Sequence, residues 1–170
     1  TYSWSAPAND IVTGMTSGTD LSEITQTLFN ATTSPVTLTY TVTPTFTNNE
    51  IDCTGDTFDI TITVNPEPQI NNVTETICNG DTFSTVSPVD GTNGDVVPTG
   101  TTYSWTAPVS NPVNVVTGGS SGTDQGSIVG QTLSNVTSSP ATLTYTVTPT
   151  SADDCVGTPF TVTITVNREP

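Results

Sequence analysis

The sequence predicts an all-β chain built from sandwich domains in tandem, on three observations. Threonine makes up about a quarter of the residues, and β-branched side chains suit a pleated, half-buried surface better than a helix. Apolar and polar residues alternate strictly over long runs, as at 141–147 (ATLTYTV) and 160–166 (FTVTITV). Period 2 places one face against a core and the other in water. Finally, whole blocks recur at a spacing near 100 residues, which is one sandwich domain per repeat rather than a short solenoid unit.

The repeat is explicit. YSWSAP at 2–7 returns as YSWTAP at 103–108, an offset of 101. TLFNATTSPVTLTYTVTPT at 27–45 returns as TLSNVTSSPATLTYTVTPT at 132–150, an offset of 105. GDTFDITITVNPEP at 55–68 returns as GTPFTVTITVNREP at 157–170, an offset of 102. The drift places small insertions in the connections between blocks. Residues 67–170 read as one complete copy. Residues 1–66 read as a copy without the part matching 67–102, so its first two strands are missing and its sheet is expected to carry an open edge. The proline-bearing stretches at 65–68 (NPEP) and 167–170 (NREP) read as short, stiff linkers.

Turn dipeptides divide the complete copy into seven predicted strands, at 70–77, 82–87, 101–107, 113–117, 127–136, 141–150 and 159–167. They are separated by Asn79-Gly80, Asp90-Gly91, Asn93-Gly94, Gly118-Gly119 and Ser139-Pro140. No segment has helical period. The third strand carries Trp105, where immunoglobulin-like sandwiches place a core tryptophan. By the same parity Trp4, Tyr40, Tyr145, Phe58 and Phe160 are assigned to cores. A carbohydrate-stacking role for the tryptophans is the competing reading, and it fits their mid-strand position less well.

Composition excludes several function classes. One basic residue, Arg168, stands against sixteen acidic ones, for a net charge of −15. Nucleic acid and anionic lipid are bound by Lys and Arg, so neither is an expected partner. Histidine and lysine are absent, which removes Ser-His and Cys-His catalysis, Schiff-base chemistry and Lys-Asn isopeptide cross-links. Adjacent acids such as Asp153 and Asp154 read as a solvated turn rather than a glycosidase pair. No apolar run approaches the roughly 18 residues of a membrane span. The chain begins at Thr1, which reads as an excerpt of a longer protein.

Taken together, C-x-G-x-x-F, T-Y-S-W-x-A-P, Q-T-L-x-N, T-L-T-Y-T-V-T-P-T and T-I-T-V-N resemble the PKD-like repeats of Bacteroidota surface proteins, among them gliding-motility adhesins. The resemblance covers essentially the whole chain. It implies an immunoglobulin-like sandwich, export by the type IX secretion system and a repetitive filament on the cell surface. The family pattern names no catalytic residues.

That frame yields a structural reading, a spacer rod whose partners are neighbouring repeats. The alternative is a module whose end loops bind surface polysaccharide or protein. Cys53, Cys78 and Cys155 share one local motif, and export permits disulfides. Pairing Cys78 with Cys155 inside the complete copy leaves Cys53 alone, but strand parity puts those two at opposite ends of the sandwich. The other arrangement is a staple between successive modules, and both stay open. Asn30, Asn72 and Asn135 open Asn-x-Thr triplets that chance supplies in a threonine-rich chain. The loops after the second, fourth and sixth strands hold Asp90, Asp95, Asp124, Asp153 and Asp154, and the linker adds Glu67. Six converging carboxylates would suit calcium, with separate solvated acids as the plainer reading.

Overall fold

The structure, a computed structural model, describes residues 1–168; the last two residues of the second linker lie outside the described residues. Every regular element is a β-strand, and the chain divides into two compact units, Thr1–Pro66 and Glu67–Pro170. Each is described by itself.

In the first unit the strands are β1 (Tyr2–Trp4), β2 (Val12–Thr13), β3 (Gly18–Leu21), β4 (Phe29–Asn30), β5 (Val36–Asn48), β6 (Ile51–Thr54) and β7 (Phe58–Val64). The main sheet runs β3-β1-β5-β6, with β7 on the other flank of β5, and β2 with β4 forms the facing ribbon. β5 is long because its outer half folds back on β6 across Asn49 and Glu50, both at positive φ. Two successive left-handed residues give a two-residue hairpin the twist its strands require. Trp4, Val12, Leu38, Tyr40 and Val42 form the core.

The second unit contains β8 (Val73–Cys78), β9 (Thr102–Trp105), β10 (Val109–Asn111), β11 (Val116–Thr117), β12 (Gly122–Gln125), β13 (Ser134–Asn135), β14 (Ala141–Thr150) and β15 (Phe160–Asn167). Its main sheet is β12-β9-β14-β15-β8, with β10 beside the first half of β14. The facing layer is β11 with β13, extended by isolated bridges Thr82↔Thr132 and Val86↔Ile128. Alternation works as the sequence predicts. On β14 and β15, Leu143, Tyr145, Val147, Phe160, Val162, Ile164 and Val166 are buried, and the intervening threonines face outward. Paired threonines such as Thr144 and Thr163 stand opposite one another on the wet face.

Several predicted strands are shorter than expected, and two were not foreseen. The second predicted strand, 82–87, reduces to the bridges at Thr82 and Val86, and the fourth, 113–117, to Val116–Thr117. β10 and β12 lie in stretches assigned to connections. β12 reads Gly-Thr-Asp-Gln, with no apolar alternation to announce it. It pairs with β9 through a bulge in which Asp124 adopts φ 50°, and a bulge spoils the period-2 signal.

The two units differ along one edge. β15 is paired on both sides, by β14 and by β8, whereas β7 pairs only with β5 among the described residues. Phe58, assigned to a core, is 44% exposed, while its counterpart Phe160 is 2% exposed. The correction has a simple cause. Ile70 and Val73 pack against the core containing Phe160, and among the described residues nothing equivalent covers Phe58.

Candidate functional site

Polar groups inside both units are committed to holding the fold. The indole N–H of Trp105 donates to the Ser120 carbonyl at 2.8 Å. Gln131 clamps the same residue, accepting the Ser120 backbone N–H at 2.8 Å and the Tyr145 hydroxyl at 3.0 Å on Oε1. The first unit repeats this with Trp4 donating to the Thr16 carbonyl, and with Tyr40 and the Thr16 N–H donating to Gln26. Both tryptophans are buried, so neither offers a ring face to a sugar. Burial pushes the Tyr145 hydroxyl up to about 12, and burial with nearby Asp95 does the same to Tyr103.

Asn30 and Asn135 are also internal. Asn135 Nδ2 donates to the carbonyls of Ser139 and Val166, and its Oδ1 accepts the N–H and hydroxyl of Thr137. Asn30 makes the matching set with Ser34, Val64 and Thr32. Each triplet is therefore an Asx turn that ties a loop to the last strand of its sheet. Asn72 accepts the Thr161 N–H at 2.7 Å and fixes the start of β8 on β15. Sequence reasoning missed the glutamine clamp and the asparagine lock. The signal available was Q-T-L-x-N itself, which repeats its polar residues as faithfully as its apolar one.

The carboxylates assigned to calcium do not gather: among the described residues no group of three or more His, Cys, Asp or Glu could hold a metal ion. Their local bonds explain why. Asp95 is buried and accepts the Asn71 N–H at 2.8 Å, Asp90 accepts the Val97 N–H, and Asp124 exchanges hydrogen bonds with Ser104 across the β12 bulge. Asp153 and Asp154 occupy the exposed turn before Cys155, closed by the Asp154 N–H on the Ser151 carbonyl. Glu67 belongs to the linker and joins no cluster.

The thiols of Cys53, Cys78 and Cys155 are all free. The pairing of Cys78 with Cys155 is corrected by register. Cys78 lies opposite Asn167, at the far end of β15, while Cys155 precedes the near end at Phe160. Seven residues of β15 separate those levels, on the order of 23 Å at 3.3 Å per residue, against a limit near 7 Å between α-carbons.

An open trough of about 560 Å³ is lined by Ser3, Trp4, Gly18, Thr39, Thr41 and Thr43 among others, and none of its lining groups is acidic or basic. Among the described residues every buried side-chain nitrogen and oxygen has a partner. The feature that stands out is mechanical. β8 and β15 run parallel through six register pairs, from Val73↔Val162 to Cys78↔Asn167. The chain enters this pair at one end, on β8, and leaves it at the other, on β15.

The PKD-like domain family matches residues 1–68 and 75–170. The chain belongs to that family. PKD-like domains are generally non-catalytic structural modules with an immunoglobulin-like fold, typical of extracellular or surface proteins. The sandwich of the second unit and the absence of helices among the described residues accord with that membership. No curated protein and no solved structure matches the chain.

Proposed function

We propose that this PKD-like chain is a tension-bearing spacer in a secreted, filamentous adhesin of a bacterial surface, its partners being neighbouring repeats of the same polypeptide. The observation that carries the reading is the parallel β8–β15 pair at the ends of the second unit. Tension applied through the chain pulls β8 and β15 in opposite directions along their own axes. Their slanted hydrogen bonds are then loaded together in shear rather than opened one after another. The outward faces favour a spacer as well. They are dominated by threonine, and the unit keeps its aromatic residues Tyr103, Trp105, Phe83, Tyr145 and Phe160 inside, leaving no aromatic platform for a ligand.

The resemblance to gliding adhesins extends the proposal to type IX export and surface attachment. The test is made on the producing cells. Antibody raised against the chain labels unpermeabilised cells along filaments, and excising this stretch in frame shortens the filament while leaving glycan adhesion at its tip unchanged. Labelling only after permeabilisation, or loss of a specific glycan from the binding profile on excision, refutes the spacer role.

A further inference from the structure

The dipeptide Asn-Gly occurs twice in the chain, each time followed by Asp, at Asn79-Gly80 and Asn93-Gly94. Asparagine before glycine is chemically labile, because no β-carbon hinders the glycine amide nitrogen from reaching the side-chain amide carbon. The two sites share that local sequence and differ in what the fold does with it. At the first, Asn79 Oδ1 accepts the Asn135 N–H at 2.7 Å, and the Gly80 N–H donates to the Leu133 carbonyl at 2.9 Å. The amide under attack and the attacking nitrogen are both tied to the segment 133–135, which carries the asparagine lock. At the second, Asn93 and Gly94 are exposed, with φ of 55° and 82°. They form the centre of a type I′ turn closed by the Asp95 N–H on the Thr92 carbonyl at 3.0 Å. Among the described residues neither the Asn93 side chain nor the Gly94 N–H has a hydrogen-bond partner.

This turn also holds a neighbour. The Asn93 carbonyl accepts Asn71 Nδ2 at 2.8 Å, and Asp95 accepts the Asn71 N–H at 2.8 Å. Gln69 and Val96 exchange N–H···O bonds at 2.9 and 2.8 Å. Residues 92–96 therefore clamp the segment that leads into β8 at Val73.

We propose that Asn93 is a self-modification site whose conversion loosens this clamp. The Gly94 nitrogen, giving up its proton to solvent hydroxide, attacks Asn93 Cγ; the Cγ–Nδ2 bond breaks and ammonia leaves, closing a cyclic imide. Water then opens either imide carbonyl, to aspartate or to isoaspartate, and no oxidant or reductant takes part. Rotation into the attack geometry breaks only the turn bond and the Asn71 contact, each of modest net strength in an exposed place. Isoaspartate sends the main chain through Cγ, lengthens it by one methylene and turns the former Asn93 carbonyl into a carboxylate. The turn then no longer fits its place opposite Asn71, and the new charge stands two residues from Asp95.

The test follows the full chain at mildly alkaline pH and body temperature. Samples are digested at acidic residues and mapped by mass spectrometry, and methyl transfer by an isoaspartyl methyltransferase counts isoaspartate. Conversion at Asn93 should run at least about tenfold faster than at Asn79 in the folded chain. In urea, where only the shared Asn-Gly-Asp sequence remains, the two rates should be alike. Asn93→Gly, which suits a left-handed position, should remove the product at this site. Amide protection at Gln69, Asn71 and Val96 should fall in the aged chain and hold in an equally aged Asn93→Gly chain. Conversion at Asn79 that is equal or faster in the folded chain overturns the proposal, as does a difference that persists in urea. Full conversion at Asn93 with protection at these three residues retained overturns the loosening of the clamp.

Discussion

Gly122 on β12 lies against the indole of Trp105, so closely that a β-carbon there would collide with the far edge of the ring system. Gly18 has the same relationship with Trp4. The pair is the price of seating a large ring whose N–H must also reach the Ser120 carbonyl: the strand crossing the ring can carry no side chain at that point. Gly122→Ala should therefore destabilise the second unit by about 1–3 kcal/mol, the usual cost of overpacking. Gly126→Ala, where nothing lies within reach of an added β-carbon, is the control. Urea unfolding followed by tryptophan fluorescence reads both.

Asn135 supports a second prediction. Replacing it with alanine leaves the carbonyls of Ser139 and Val166 and the Thr137 N–H without partners in a largely buried place. Each orphaned group costs roughly 1–3 kcal/mol where water cannot reach it, so Asn135→Ala should cost about 3 kcal/mol in chemical unfolding. Expressed in a glycosylating host, the folded chain should carry no glycan on Asn30 or Asn135, because both amides are enclosed. Mass spectrometry checks this directly.

Phe58 and Phe160 offer an internal comparison between residues of the same local sequence. Phe160→Ala empties a packed core position and should cost about 3–5 kcal/mol. Phe58→Ala removes a ring that is nearly half in water and should cost no more than about half of that. Segment-resolved hydrogen exchange on the full chain separates the two units. Equal losses would mean that Phe58 is covered after all.

These residues also show what was legible beforehand. The alternation on β14 and β15, the buried tryptophans and the repeat itself could be read directly, because each depends on local period or on block recurrence. The fate of Phe58 could not be read from its own motif, since its cover would come from a segment equivalent to 70–83, distant along the chain. β12 escaped notice because its pairing is set by Trp105 and Ser104 across the sheet rather than by its own side chains. The loop placement holds for Asp90, Asp95, Asp153 and Asp154, whereas Asp124 lies on β12, and the calcium reading leaves out the backbone N–H groups that Asp90 and Asp95 satisfy. The glutamine clamp and asparagine lock were visible as repeated letters, though not as a structure, because polar residues give no periodic signal.

Alkaline pH supplies a fourth prediction. The hydroxyls of Tyr103 and Tyr145 are pushed from 10.0 up to about 12 in the folded chain. The folded state thus holds its protons more tightly than the unfolded state. The stabilisation is fully present below pH 10 and is lost as pH rises from 10 towards 12. Unfolding free energy should be insensitive to these groups at neutral pH and fall steeply above pH 10. In a Tyr145→Phe chain the alkaline slope should be shallower. An unchanged slope would contradict the burial of that hydroxyl.

The most direct test of the tension-bearing role is single-molecule pulling of the second unit in two directions. Handles placed before Val73 and after Asn167 load the β8–β15 pair in shear. Handles at Thr150 and Phe160 open the β14–β15 ladder from its Val147↔Phe160 end, one pair at a time. The account predicts a distinctly higher unfolding force in the first geometry, reduced by Thr163→Pro in β15. Equal forces in the two directions, or a lower force when the unit is pulled through its ends, would contradict it.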